Sequence, residues 1–170
     1  IFLPAEALNY KGTELQEDIN SKPAELEKLE HIRARASVAM GITSEIGESK
    51  KLQHIPKLTF LSAPQDYVSS SGKAIKAKDV NLLVRAMSMG KLHHAMMGTA
   101  AVAIGAAAAI PGTVVNKITS IDSQEKSIVF GHPSGTLRVG ADAEQTSGKW
   151  VIREVSMSRS ARVLMQGCVR

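Results

Sequence analysis

The stretch that most constrains the fold is "MMGTAAVAIGAAAAIPG", Met96 to Gly112. Eleven consecutive residues, Ala100 to Ile110, are small or apolar, and Pro111-Gly112 closes the run. A bilayer span needs about 18 to 20 such residues, so this run is too short to cross a membrane. Alanine is a strong helix former, and a helix that is apolar on every side has to be buried on every side. Gly105 and the alanines present little side chain, so neighbouring backbone can approach closely. The run therefore predicts a central helix wrapped by the rest of the chain.

Short β-type runs bounded by turn residues supply the wrapping. They are "IFLPAEAL", "PKLTFLSAP", "KSIVFGHPSG", "TLRVGADAE", "KWVIREVSMS" and "ARVLMQGCVR". "VNLLVRAMS" fits strand or helix by pattern, and its place before a Gly-containing turn favours strand. One amphipathic helix is expected in "KPAELEKLEHIRARASVAM", with Pro23 in the first turn and Leu26, Leu29, Ile32 and Ala36 on the buried face. Glu25 and Glu27 come early in it and Arg33 and Arg35 late, which suits the helix dipole. "GITSEIGESKKLQHI" and "SSSGKAIKAK" are polar and aperiodic and read as loops, the first of them mobile. No internal repeat is present. The fold class is α+β, one sheet curling around one central buried helix, in a single domain over residues 1–170.

Charge and cysteine content bound the function. The net charge of +5 favours anions in general. With 4% aromatic residues and no Lys/Arg cluster alternating with them, nothing points to nucleic acid. The single Cys168 rules out a disulfide framework, suits a reducing compartment and is expected in packing. That implies a cytoplasmic protein, or a mitochondrial one in a eukaryote. The chain opens in mid-strand without an initiator Met and reads as part of a longer one.

Candidate chemistry narrows to one place. A zinc site is not expected. His93 and His94 are adjacent and so point to different faces, and His31, His54 and His132 show no ligand grouping. Ser134 in "HPSGT" lies outside the G-x-S-x-G pattern of a nucleophile elbow, and no phosphate-binding loop is present. Gly98-Thr99 stands where the apolar helix begins. A first turn offers unpaired N–H groups and a partial positive charge, a ready anion site, and Lys91, His93 and His94 lie just upstream. The alternative is that Thr99 merely caps the helix and the histidines are surface residues. Both readings stand at this point.

"GKLHHAMMGTAAVAIGAAAAIPGT", "FGHPSGTLRVGA" and "VSMSRSARVLMQG" together resemble the 2-methylaconitate cis-trans isomerases, the PrpF-type enzymes of the methylcitrate cycle of propionate catabolism. "GTELQEDINSKPAELEKLEHIRARASVAMGI" and "IPKLTFLSAPQDYVSSSGK" fit the same family in the same order. The resemblance covers the whole chain but only the C-terminal half of such a protein. It implies one half of a two-domain fold like that of diaminopimelate epimerase. In those epimerases a Cys-Gly-Thr opens the central helix of the second domain, the cysteine being an acid/base thiol. Met97-Gly98-Thr99 stands in that place here, and Met97 cannot carry a proton.

The resemblance thus puts no catalytic residue in this half, since a lysine and a cysteine of the N-terminal half would move the proton. The role left to this half is holding carboxylates. Gly98 and Thr99 are the candidate ligands, with Ser88, Lys91, His93, His94 and Ser134 beside them. Arg159 and Arg162 are further cations that suit carboxylates. No cofactor and no metal is implied. The implied partners are an unsaturated tricarboxylate, the N-terminal half and an aconitase-like dehydratase. A related tautomerase for 4-oxalomesaconate or an isomerase for methylitaconate would share the fold. A non-catalytic anion-binding or protein-interaction module is the alternative of a different class.

Overall fold

The computed structural model describes residues 1–119, 126–159, 161 and 163–168. Within them the chain forms β1 (Phe2–Pro4), α1 (Gln16–Asn20), α2 (Pro23–Ala39), α3 (Ile46–Ser49) and β2 (Thr59–Ser62). Two short strands follow, β3 (Tyr67–Val68) and β4 (Ala74–Ile75), then β5 (Leu82–Ser88) and β6 (Lys91–Leu92). The apolar run becomes α4 (Gly98–Ala109), followed by α5 (Val114–Thr119), β7 (Ser127–His132), β8 (Gly135–Thr146) and β9 (Lys149–Met157).

The main sheet has the order β1-β2-β5-β7-β8-β9, with β6 folded back on β5. It is mixed: β1–β2 and β5–β7 are parallel, and the other pairs are antiparallel. Two hairpins have two-residue turns with both residues at positive φ, Met89-Gly90 (52° and 75°) and Ser147-Gly148 (52° and 77°). That geometry matches the right-handed twist of the strands it joins. β5, "LLVRAMS", is buried along most of its length because both of its faces are covered.

One apolar cluster joins Leu61, Leu82, Val84, Phe130 and Val139 of four strands to Ala101, Ile104 and Ala108 of α4. Four strands reaching one helix means that the sheet curls around it. On the opposite face Leu58, Phe60 and Met87 pack with Ile19 and Leu29 of α1 and α2. At Gly105 the helix comes so close that an added Cβ would lie 3.3 Å from the Gly140 carbonyl oxygen of β8.

Several sequence expectations need correction. α4 is buried on one face only: Val102 and Ala103 are exposed, so the sheet covers the helix from one side in this chain. The 41–55 segment is tied down. It contains α3, and the carbonyls of Ser49, Leu52 and Ile55 all accept hydrogen bonds from Arg33. Arg33 is itself a buried residue of α2, as are Ala34 and Ser37. Of the face expected from periodicity only Leu29 is fully buried, while Leu26, Ile32 and Ala36 are half-buried. Finally, "ARVLMQGCVR" forms no strand among its described residues. Val163, Leu164 and Met165 are 80–89% exposed and Cys168 is exposed rather than packed. The 69–78 loop includes β4, which pairs with β3.

Candidate functional site

The first turn of α4 carries the strongest local electrostatic feature. Its N-cap is Met97, in extended conformation, and no side chain caps the helix. Thr99 is therefore the second helical residue and not a cap, while His94 is exposed, as the surface reading of the histidines expects. The first intrahelical bond runs from the Ala101 N–H to the Met97 carbonyl. The N–H groups of Gly98, Thr99 and Ala100 have no intrahelical acceptor. No acidic side chain lies in this turn, although an acid there would be favoured by the dipole.

A cation lies beside it instead. An added Cβ at Gly98 would sit 2.8 Å from Nη2 of Arg159 and 3.6 Å from the methyl of Met157. The absence of a side chain at Gly98 leaves room for the Arg159 guanidinium beside the helix start. A guanidinium beside the positive end of a helix is stabilised when an anion sits between them. Arg159 appears in none of the ion pairs among the described residues. Arg162 lies outside the described residues.

β6 leads into this turn through His93 and His94. Their rings stack, with centroids 4.7 Å apart and planes inclined by 22°, so the expectation that they diverge to different faces is incorrect. The cause is that the chain leaves the ladder here: His93 N–H still bonds the Ala86 carbonyl, and the Ala95 N–H donates back to His93 Nδ1 at 3.1 Å. With Nδ1 an acceptor, the ring hydrogen belongs on Nε2, which is left as an outward donor.

A second wall comes from the β7–β8 turn. Ala108 and Ala109 of α4 lie near Ser127 and Ile128, whereas Ile104 packs with Phe130. β7 ends at His132, which opens the turn into β8. His132 is 8% exposed, and its Nδ1 lies 3.3 Å from Ser134 Oγ. Burial, then the Arg85 charge, push its imidazole down to about 4, with smaller contributions from His93 and His94. A hydrogen bond to the Thr136 carbonyl acts in the other direction.

Ser88 and Lys91 are placed differently. They face each other across the Met89-Gly90 turn, and Ser88 borders a shallow crevice beside α2, with Leu29, Arg33 and Met87. The structure thus brings Arg159 to Gly98 and Thr99 at the start of α4, just after His93 and His94, leaves Ser134 beside His132 in the β7–β8 turn, and sets Ser88 and Lys91 at a hairpin tip. His132 belongs to "GHPSGT", which by sequence is either a second wall of the site or a structural turn, and the parallel β5–β7 pairing that sets its place, Leu82 to Phe130 and Leu83 to Gly131, is encoded by no local motif. Among the described residues, no group of three or more His, Cys, Asp or Glu could hold a metal ion, and no helix is long and apolar enough to cross a membrane.

The chain is similar to known proteins along its whole length. A 2-methyl-aconitate isomerase of Shewanella oneidensis is 59% identical over all 170 residues, and one of Cupriavidus necator is 55% identical. The chain spans 43% of the length of each. The crystal structure of a methylitaconate-delta-isomerase superposes on 93% of the chain with a TM-score of 0.80 at 35% identity, matching 42% of that protein. The family model described as "PrpF protein" matches residues 1–170, and the chain belongs to that family.

Proposed function

We propose that this chain is the carboxylate-holding, C-terminal half of a two-domain cis-trans isomerase acting on 2-methylaconitate without a cofactor. The observation that carries this reading is the uncapped first turn of α4 with the Arg159 guanidinium over Gly98. The relatives named 2-methyl-aconitate isomerase supply the substrate class.

The chemistry follows from the substrate. A base removes a proton from the carbon beside the carbon–carbon double bond, and the electron pair delocalises onto a conjugated carboxylate. The former double bond loses order and rotates. Return of a proton to the same carbon restores the double bond with the opposite geometry, so atoms and charge balance with no redox step. The charge that builds on the carboxylate oxygens needs fixed dipoles around it. In this chain those are the N–H groups of Gly98 and Thr99, the Arg159 guanidinium and the Nε2 donor of His93. Met97, at the N-cap, has no ionisable group, so proton transfer is assigned to the other half.

The test is turnover of cis-2-methylaconitate by the full-length protein in D2O. Isomerisation should be accompanied by deuterium at the carbon that loses and regains its proton, and should be unchanged by a chelator. Arg159→Met should raise KM about tenfold, the size of one lost charge-assisted hydrogen bond. Absence of isomerisation, or a requirement for an added metal or redox cofactor, would sink the proposal. A second reading is favoured by the methylitaconate-delta-isomerase match: the same proton shift on a methylitaconate. Relative kcat/KM for the two substrates separates them.

A further inference from the structure

Arg159 does not reach the start of α4 alone. The place that a Cβ on Gly98 would take is bordered at 2.8 Å by Nη2 of Arg159 and at 3.6 Å by the terminal methyl of Met157. Strand geometry explains why these two side chains arrive together. Met157 is the last residue of β9 and pairs with Val139 of β8. Ser158 still follows the ladder, since its N–H and its hydroxyl both donate to the Arg138 carbonyl, at 3.1 and 3.3 Å. Side chains alternate along extended chain, so Ser158 points away while Met157 and Arg159 point together toward α4. Their chemistry differs. Arg159 is exposed, whereas Met157 is half-buried and packs, like Met96, against the apolar cluster around α4. The first turn of α4 thus has a cation and an apolar methyl side by side.

We propose that Met157 is a specificity-determining residue, its methyl meeting the alkyl substituent on the carbon that carries the held carboxylate. The proposal rests on the reading of the α4 mouth as a carboxylate site. In 2-methylaconitate the methyl and a carboxylate share one carbon. A carboxylate seated between the first-turn N–H groups and Arg159 brings that carbon's other substituents against the group beside the guanidinium, which is Met157. A thioether is apolar, flexible and polarisable, so it packs well on a methyl. It offers only a weak acceptor to a polar group in the same place. The gain is bounded, because one methyl in an apolar contact is worth about tenfold or somewhat more.

The experiment uses the full-length protein and two substrates that differ by that methyl, 2-methylaconitate and aconitate. The readout is the ratio of their kcat/KM values, which a purely structural role of Met157 leaves unchanged because it affects both alike. Wild type should favour 2-methylaconitate, and Met157→Ala should lower that preference about tenfold. Met157→Leu, an apolar side chain of similar volume, should keep the preference within about threefold of wild type. Met157→Gln keeps the length but loses the apolar end and should lower the preference too, which keeps the test alive where the alanine variant fails to fold. An unchanged preference in a folded Met157→Ala or Met157→Gln would overturn the proposal, as would a wild type that does not distinguish the two substrates. Tricarballylate, the saturated tricarboxylate without the methyl, separates this from the carboxylate reading. If Arg159→Met binds it as tightly as wild type, the carboxylate site falls and Met157 with it. If Arg159→Met binds it more weakly while the Met157 variants keep the wild-type preference, only the role of Met157 falls.

Discussion

Arg33 illustrates what a single side chain does in this fold. Periodicity places it near the end of a helix as a cation suited to the dipole. In the structure it is 4% exposed, forms a two-pronged pair with Glu30, and donates to carbonyls at Ser49, Leu52 and Ile55. No local spacing announces this, because the acceptors lie 16 to 22 residues away. Arg33→Met should therefore destabilise the protein by about 2–4 kcal/mol, through three unsatisfied carbonyls and one unpaired acid. Its urea midpoint should fall accordingly, and the 41–55 segment should become protease-sensitive. A midpoint within error of wild type would contradict this. His132 makes a pH prediction. Its folded-state pKa is about 4 against an ordinary 6.5, so between those values the unfolded chain binds the extra proton. Stability from this group is complete above about 6.5 and is lost as pH falls toward 4. His132→Asn should flatten the pH dependence of the melting temperature in that window.

Among the elements, those whose partners are near in sequence were legible. Ser147-Gly148 announces the β8–β9 hairpin, and Pro23 the start of α2. The apolar run announces α4 and its close approach to the sheet. The last segment was misread for a physical reason. An apolar alternating run is only half of a strand, and beyond Met157 no neighbouring strand is present among the described residues to accept its backbone. α4 was over-read in a similar way, since composition reports that a face is apolar but not which body covers it. The α4–β8 contact makes a prediction at this scale. Gly140→Ala would put a Cβ 2.5 Å from the Lys126 carbonyl oxygen, a backbone atom that cannot step aside. Gly105→Leu would drive a larger side chain against Val139 and Gly140. Each should cost roughly 1–3 kcal/mol by overpacking. Thermal melts check this, and an unchanged melting temperature for both would mean that the helix is not seated as described.

At the scale of the whole molecule, the chain is less than half the length of the relatives it matches. The exposed face of α4 and the Arg159 guanidinium beside its first turn are features of this stretch of 170 residues. The family was legible because its motifs are long and run in order along the whole chain. The place of His132 beside β5 was not, since it depends on strand order. The central claim is that the first turn of α4 holds a carboxylate, and the most direct measurement is tricarballylate titration of full-length Thr99→Asp beside wild type. An aspartate there sets like charges against each other in a partly desolvated place, at a cost on the order of 2 kcal/mol. Affinity should fall about thirtyfold, while the melting temperature holds, because an acid is favoured in a first helical turn. Wild-type affinity in a folded Thr99→Asp would contradict the claim outright.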